Sequence, residues 1–376
     1  MNRKISLASL ILLIIGSIDN IRNLPSSALF GSSSIFFFLL GAVFFLIPTA
    51  FVTAELASAF PNKGGVYHWM KQALGEKAGV CAVWLQWINT MVWYPAILSF
   101  IAGSIAYLFS SSLATSPVYI LSVILILFWT LTGINCLGVQ ISAKVNNVCG
   151  LIGTIFPLLL LIGFGVYWLI SGQPSQIHFS SAEILPEWGT SATWISLVSV
   201  MASFLGMELS SVHVNDIENP NKNFPKAILV ACSFILFSML FGTLTIALIL
   251  PKSDINLVSG VLQVFSNLGC TPLLASLIII GSIGNMINWL ISPAKGLLQV
   301  SQDGYLPPYL AKRNRFEVPA RILILQAVLV SAFASFFFLF PNVNAVYWLF
   351  DGDFDGVVHA DVHLVVCRSA EAASRL

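Results

Sequence analysis

Polar side chains that could hold a ligand or a proton lie close together in the apolar stretch 201–225. Glu208 is ionisable, stands two residues after Gly206, and is followed by Ser211 and His213. A charge at bilayer depth costs roughly 2.5–3.5 kcal/mol on insertion scales, so Glu208 requires a partner or a wet cavity. Because glycine has a permissive backbone, Gly206 predicts a membrane helix that opens here to line a site. The alternative is an intact helix whose Glu208 bonds a neighbouring helix.

A second polar group interrupts the first apolar stretch of the chain. Its members are Ser17, Asp19, Asn20, Arg22, Asn23 and Ser26. Asn23 stands two residues before Pro25, which is typical of a helix start, where asparagine caps the backbone and proline costs no hydrogen bond. We therefore expect one helix to end near Ser17 and another to begin near Leu24, inside the bilayer. The free N–H groups of the second helix, at 24–27, would suit a carboxylate.

Asp19 and Arg22 also have a simpler interpretation. They stand three residues apart, so on one helical face they would form a local ion pair. That pair could exist in an empty site as well, so the two interpretations are compatible.

The composition defines the kind of protein that must position these groups. Of 376 residues, 57% are hydrophobic and 9% are charged, and the mean hydropathy is +0.89. These values exclude a soluble globular protein and indicate an all-α integral membrane protein with many spans. Apolar segments long enough to cross a hydrocarbon core of about 30 Å lie near 5–30, 34–58, 79–109, 117–137, 145–171, 190–214, 227–250, 272–299 and 320–340. A further segment begins at 344–350.

The basic residues predict the orientation of the chain. If the N-terminus is cytoplasmic, the loops on the cytoplasmic side carry nearly all Lys and Arg, and the opposite loops carry only Lys252. This bias follows the positive-inside rule and predicts a multi-pass membrane protein whose N-terminus is cytoplasmic.

The expected partners are membrane lipid and a small molecule, and a homodimer is left open. A net charge of +1 without a basic tract gives no reason to expect nucleic acid. The cysteines are scattered singly, without the spacing of a metal site, and no nucleophile–base set lies near a soluble face. We therefore expect no metal, no cofactor and no enzymatic activity.

Polar residues in the eighth apolar segment and glycines in the fifth predict how these two segments contact their neighbours. Asn285 and Asn288 lie in mid-membrane and should face a cavity or another helix. Trp289 beside them could equally be a lid over a ligand or a core residue. Small residues of the fifth segment should permit close helix contact; they are Gly150, Gly153, Gly163 and Gly165.

Several motifs resemble those of the amino acid–polyamine–organocation (APC) superfamily of transporters. They are 204–208 (FLGME), the loop containing Pro61, Gly64, Gly65 and Tyr67, and 219–225 (NPNKNFP). The stretches 208–216 (ELSSVHVND), 292–296 (SPAKG) and 306–308 (LPP) are similar to the bacterial glutamate/GABA antiporter branch. The loop at Pro61 is either a plain interfacial turn or a cytoplasmic gate.

The resemblance implies a five-plus-five inverted-repeat (LeuT/APC-like) fold with helices 1 and 6 broken and the second repeat incomplete. Substrate would bind between helices 1 and 6, with alternating access by rocking. Glu208 would match a sixth-helix glutamate often proposed as a pH-linked gate, and Trp289 an eighth-helix tryptophan near the substrate path. Ala202 stands where arginine/agmatine exchangers carry tryptophan, which argues against a guanidinium substrate. Charged Asp19 and Arg22 depart from the glutamate/GABA pattern.

Together with these observations, the resemblance implies an amino acid antiporter of the glutamate/GABA exchanger type in a bacterial cytoplasmic (inner) membrane, which would exchange glutamate for a decarboxylated product. The substrate carboxylate would meet the N–H groups at 24–27 and Arg22, and its amino group the carbonyls freed near 15–17 and 204–205, close to Asp19. The expected substrate-binding residues are Ser17, Asp19, Asn20, Arg22, Asn23, Ser26, Phe204, Gly206, Glu208, Ser211 and Trp289. Gating or proton-linked roles are expected for Glu208, His213 and Asp19. The alternatives are a proton-coupled symporter of neutral amino acids and a truncated remnant without transport.

Residues 351–376 differ in character from the rest. Five acidic residues and two arginines in this short stretch cannot complete a lipid-facing span. We therefore expect a permease domain over 1–350, followed by an atypical acidic tail that is not part of it.

Overall fold

The computed structural model of the chain describes residues 5–60, 65–110, 113, 116–186, 191–256, 260–266 and 271–338. Eight helical segments in these ranges are long and apolar enough to cross a membrane. We number them spans 1 to 8: Leu7–Ala28, Gly31–Ala59, Glu76–Phe109, Pro117–Cys136, Val139–Ile170, Ser196–Val214, Pro220–Ile249 and Thr271–Gln302. Span 9 is the helix Ala320–Phe338, whose apolar part is shorter.

The predicted segments therefore correspond to spans 1 to 9. The predicted start of a tenth at 344–350, the tail 351–376, and positions 61–64 of the proposed gate loop lie outside the described residues. Shorter helices connect the spans: Val66–Leu74, Ser181–Ile184, Lys252–Asp254 and Gly260–Val264. Within the described ranges the extended pairing is a single bridge between Ile5 and Ile217, which ties the start of the chain to the end of span 6.

Four spans are built from more than one piece. Span 1 contains Leu7–Ile18, Ile21–Asn23 and Leu24–Ala28, and span 2 contains Gly31–Ser33, Ser34–Gly41, Ala42–Leu46 and Ile47–Ala59. Span 5 contains Val139–Gly150, Leu151–Ile155 and Phe156–Ile170. Span 6 belongs to two helices, Ser191–Ser203 and Met207–Asp216.

The interruptions in spans 2 and 5 are wide π-helical turns next to prolines. Ala42–Leu46 comes just before Pro48, and Leu151–Ile155 just before Pro157. A proline lacks the backbone N–H and its ring clashes with the carbonyl four residues earlier, and a wider turn relieves that clash. These two spans therefore bend without losing their continuity.

Span 8 lies at the centre of the helix bundle. It packs against spans 1, 3 and 5, and 72% of its most apolar window is buried, against 28% for span 4. Span 1 packs in turn against spans 5, 7 and 8. The polar residues of spans 1 and 8 are thus kept away from the lipid-facing surface.

Spans 5 and 8 touch through two glycines. A Cβ added to Gly153 would overlap the backbone of Gly281, and one on Gly165 would collide with Thr245 of span 7. The prediction of close helix contact is correct for these two positions. It is wrong for Gly150 and Gly163, where an added Cβ would meet nothing within 4 Å.

The contact between Gly153 and Gly281 predicts that an added methyl group in span 5 destabilises the protein at some positions and not at others. Gly153→Ala should push spans 5 and 8 apart and lower the free energy of unfolding by about 1–3 kcal/mol or more, because overpacking forces backbone shifts. The matched control is Gly163→Ala on the exposed face of the same span, where alanine should be neutral or slightly stabilising. Thermal unfolding of both purified variants checks this, and equal melting temperatures would contradict the packing.

Candidate functional site

Span 1 is broken where the sequence predicted. Its first helix ends at Ile18, Asp19 and Asn20 are extended, and a short helix restarts at Leu24 with Pro25 in its first turn. The predicted interruption of the first helix is therefore confirmed.

The cap of the restarted segment differs from the prediction. The Asn20 side chain accepts a hydrogen bond from the Arg22 N–H at 3.1 Å, whereas Asn23 makes no side-chain cap. The Leu24 N–H donates to the carbonyl of Ile21, so it is not free as expected. A 3₁₀ turn at 21–23 precedes the helix and uses that donor.

Span 6 is broken at Gly206. The α-helix ends at Ser203, Gly206 has a φ of 114°, and a 3₁₀ helix then runs over Met207–Asp216. Glycine suits this turn because an L side chain in that region of φ is strained. The alternative of an intact sixth helix is wrong.

The two breaks touch each other. A Cβ placed on Gly206 would lie 3.2 Å from the Ser17 carbonyl oxygen and 3.1 Å from the Trp289 ring. Glycine therefore permits the backbone of span 6 to approach the broken end of span 1 beneath the Trp289 indole.

Span 8 donates hydrogen bonds to the broken end of span 1. Asn285 Nδ2 donates to the Gly16 carbonyl at 2.6 Å, and Trp289 Nε1 donates to the Ser17 carbonyl at 2.7 Å. Asn288 Nδ2 donates to the Ser17 hydroxyl. Of the carbonyls expected to be open for a substrate amino group, those of Gly16 and Ser17 are thus occupied by side chains in this conformation.

Trp289 is packed against its neighbours, as expected of a core residue, and its role as a lid over a ligand stays a prediction. Its ring packs on Trp93 with centroids 4.9 Å apart, and its carbonyl accepts from the Tyr94 hydroxyl at 2.8 Å. Its ring edge also covers the contact between Ser17 and Gly206. It is both packed against span 3 and placed over the breaks.

Asp19 lies in the break of span 1 with its carboxylate buried. Oδ2 accepts from the Ser238 hydroxyl of span 7 at 2.5 Å, while Oδ1 receives no hydrogen bond among the described residues. Arg22 lines a small cavity with Pro25, Phe100 and neighbouring residues, and its local ion pair with Asp19 stays a prediction.

Glu208 connects span 6 with span 3. Its carboxylate accepts from Gln86 Nε2 at 3.3 Å. A bond to a neighbouring helix was expected only for an intact sixth helix, and the structure has this bond together with the break.

The other predicted residues are dispersed around the breaks. Phe204 packs edge to face on Phe38 of span 2, with centroids 5.8 Å apart, and so faces away from Ser17. The Ser26 hydroxyl donates to the Asn23 carbonyl and the Ser211 hydroxyl to that of Glu208. His213 is buried further along the 3₁₀ helix, next to Lys295 of span 8.

A polar cluster at the end of span 8 holds the helix Val66–Leu74 in place. Asp303 accepts from the Tyr67 hydroxyl and the Lys71 ammonium, each at 2.7 Å, and Lys71 also lies 3.1 Å from Glu76. Burial and the hydrogen bond to Asp303 raise the pKa of Tyr67 to about 12, and the bonds to Asp303 and Glu76 raise the pKa of Lys71. Both groups therefore keep their protons at neutral pH.

Several site partners were not in the predicted set. They are Gln86, Ser238, Asn285, Asn288, Ser292, Lys295 and Asp216. The signal available in the sequence was a single polar residue inside an apolar span. That signal predicted polar contacts for Asn285 and Asn288, but neither residue was assigned to the site.

Two interrupted helices that meet inside a bundle of membrane spans define a broken-helix membrane transporter. The chain belongs to the amino acid permease family, of the APC superfamily, whose family model matches residues 5–353. It is therefore an amino acid transporter by family.

Relatives and solved structures agree with this assignment. The chain is 34% identical over 348 residues to an uncharacterised transporter of Legionella pneumophila, covering 91% of this chain and 75% of that protein. It is 29% identical over 344 residues to a glutamate/gamma-aminobutyrate antiporter of Lactococcus lactis, covering 89% and 68%. The structure of MhsT in complex with L-phenylalanine matches with a TM-score of 0.63 at 16% identity, over 91% of this chain and 84% of that one. The structure of a sodium-coupled sialic acid symporter matches with a TM-score of 0.61 at 12% identity, over 93% of this chain and 74% of that one. These likenesses confirm the predicted five-plus-five inverted-repeat fold.

The hydrogen bond from the Trp289 indole to the Ser17 carbonyl of span 1 can be tested by a single substitution. Trp289→Phe keeps a ring against Trp93 but leaves the Ser17 carbonyl without its donor, so we expect a loss of about 1–3 kcal/mol in unfolding free energy. Trp93→Phe, in the partner of the stacked pair, is the matched control and should cost less. Chemical denaturation of both purified variants gives the comparison, and equal costs would mean that the hydrogen bond does not hold the break.

Proposed function

We propose that this permease is an amino acid antiporter of the glutamate/GABA exchanger type. The observation that carries the proposal is the contact between the breaks of spans 1 and 6 beneath Trp289, with the Asp19 carboxylate beside it. The similarity to the Lactococcus antiporter supports the choice of substrate class.

The substrate amino group would bind Asp19. A buried carboxylate with one oxygen lacking a hydrogen bond is costly to keep charged, and an ammonium group would compensate it. Ser238 holds the other oxygen, so the carboxylate is already oriented. Displacement of the Trp289 indole would also open the Ser17 carbonyl to the same ammonium.

The substrate carboxylate groups would lie towards Ser26 and Arg22, where the guanidinium offers planar donors for an acidic side chain. Asn20 and Asn23 would shape this half of the site, since they form the 3₁₀ turn that carries Arg22. Glu208 would transmit movement of span 6 to span 3 through Gln86. The basic residues favour a cytoplasmic N-terminus, which would place Arg22 on the outer side of the break.

The test is exchange in proteoliposomes. Vesicles loaded with glutamate or GABA should take up labelled glutamate several-fold faster than empty vesicles. Uptake driven by a pH gradient without an internal counter-substrate would contradict antiport and favour proton symport.

Asp19→Asn tests the amino-group contact. It keeps the shape and the hydrogen bond from Ser238 but removes the charge, so we expect the half-saturating glutamate concentration to rise roughly ten- to hundredfold, as for loss of a charged hydrogen bond. Asp254→Asn, the same change in an exposed loop, is the matched control and should transport normally. Unchanged affinity in Asp19→Asn would remove this residue from the substrate site.

A further inference from the structure

Three ionisable side chains meet near the end of span 6, beside span 8. Lys295 Nζ lies 3.0 Å from His213 Nδ1 and 2.9 Å from the Asp216 carboxylate. His213 is 1% exposed, whereas the Asp216 side chain is 44% exposed. Burial works against ionisation of Asp216, but His213 and the Lys295 ammonium hold the pKa of its carboxyl well below the usual range.

The hydrogen bonds determine which nitrogen of His213 carries the proton. An ammonium can only donate, so Nδ1 accepts from Lys295 and the proton must sit on Nε2. Nε2 then donates towards the Ser292 hydroxyl at 3.4 Å. This assignment follows from the network of partners.

The chain of hydrogen bonds continues to the break of span 1. The Ser292 hydroxyl donates to Asn288 Oδ1 at 3.2 Å, and Asn288 Nδ2 donates to the Ser17 hydroxyl. The Ser17 hydroxyl donates to the Leu13 carbonyl at 2.6 Å. Donors and acceptors alternate correctly at every step, so one continuous network joins half-exposed Asp216 to the end of the first helix.

We propose that His213, Lys295 and Asp216 form a proton-binding site whose occupancy controls the broken end of span 1. A proton from cytoplasmic water, arriving past Asp216, binds His213 Nδ1. Nδ1 then changes from acceptor to donor, and its bond to the ammonium 3.0 Å away is lost. The Asp216 oxygen, 3.8 Å from Nδ1, becomes the new partner of the imidazolium.

The protonation of His213 is determined by the charged groups packed around it. Lys295 of span 8 and Asp216 of the same 3₁₀ helix are the charged groups that act on His213, and Arg313 acts on Lys295 from the loop beyond span 8. Spans 1 and 5 face His213 with the uncharged side chains of Leu13, Ser142 and Asn146.

Protonation of His213 acts on span 1 through its bond to Ser292. Rotation of the imidazole towards Asp216 withdraws it from Ser292, and this frees Asn288 and Ser17 to move.

The consequence for transport rests on the proposed function, but the proton site itself does not. If the breaks open during transport, acidification of the cytoplasmic side would favour opening by releasing Ser17. The proton site can be tested on the 376-residue chain in lipid nanodiscs without substrate.

The first test measures protonation of His213 by NMR with isotope-labelled histidine, its signals assigned by their loss in His213→Gln. Lys295→Met should raise the titration midpoint of His213 by one pH unit or more, because it removes a cation. Asp216→Asn should lower the midpoint, because it removes the anion. The signal of exposed His178 serves as the internal reference in all variants. A His213 midpoint that stays fixed, or moves the same way in both variants, would overturn the proton site.

The second test measures whether protonation reaches the break. Hydrogen–deuterium exchange of residues 13–20, corrected for intrinsic rates, should accelerate several-fold on acidification through the His213 midpoint, and His213→Gln should abolish the response. Ser292→Ala cuts the network but leaves the three charged groups, so it should keep the histidine titration and lose the response at the break. If Ser292→Ala responds like the unmodified chain, the coupling is refuted. Failure of glutamate exchange with both results intact would refute the antiporter proposal alone.

Discussion

The constraint on which this structure depends is that backbone groups exposed by a break inside a membrane need hydrogen-bond partners. Water is scarce at that depth, and each unsatisfied group costs several kcal/mol. Span 1 stops at Ile18, and its carbonyls at Gly16 and Ser17 are satisfied by Asn285 and Trp289 of span 8. The break is therefore stable only as part of a bundle in which span 8 lies at the centre.

That arrangement explains why the polar residues are distributed as they are. Span 8 carries amide and indole donors on the side that faces span 1, and Gly281 and Gly284 on the side that faces span 5. Under the proposed function the same hydrogen bonds would close the site, because a substrate ammonium would compete with Trp289 for the Ser17 carbonyl. Opening and binding would then be linked through the exchange of one donor for another.

The sequence predicted the positions of the two helix breaks better than the hydrogen-bond partners of the residues around them. Gly206 and Pro25 identified both breaks because positive φ and a missing N–H are local properties that residue type reveals. The cap was assigned to Asn23 instead of Asn20, since both are asparagines near one helix start and the 3₁₀ turn between them has no separate signature. Phe204 was placed at the site for the backbone carbonyl that the break would free, and the direction of its ring, which packs on Phe38, had no signal in the sequence.

Long-range partners could not be predicted because they depend on how distant spans pack. Ser238 reaches Asp19 from 219 residues away, and Gln86 reaches Glu208 from 122. A serine or glutamine within an apolar span has many potential neighbours, and one sequence does not distinguish among them. The Lys295–His213 contact is of the same kind: each residue was visible, but their proximity follows from the break in span 6.

The most direct test of the account is the backbone conformation at the two breaks, measured by solid-state NMR of the labelled protein in lipid bilayers. The account predicts helical carbonyl and Cα chemical shifts up to Ile18, extended values at Asp19 and Asn20, and a positive φ at Gly206. Continuous helical shifts through residues 15–25 and 200–210 would contradict it.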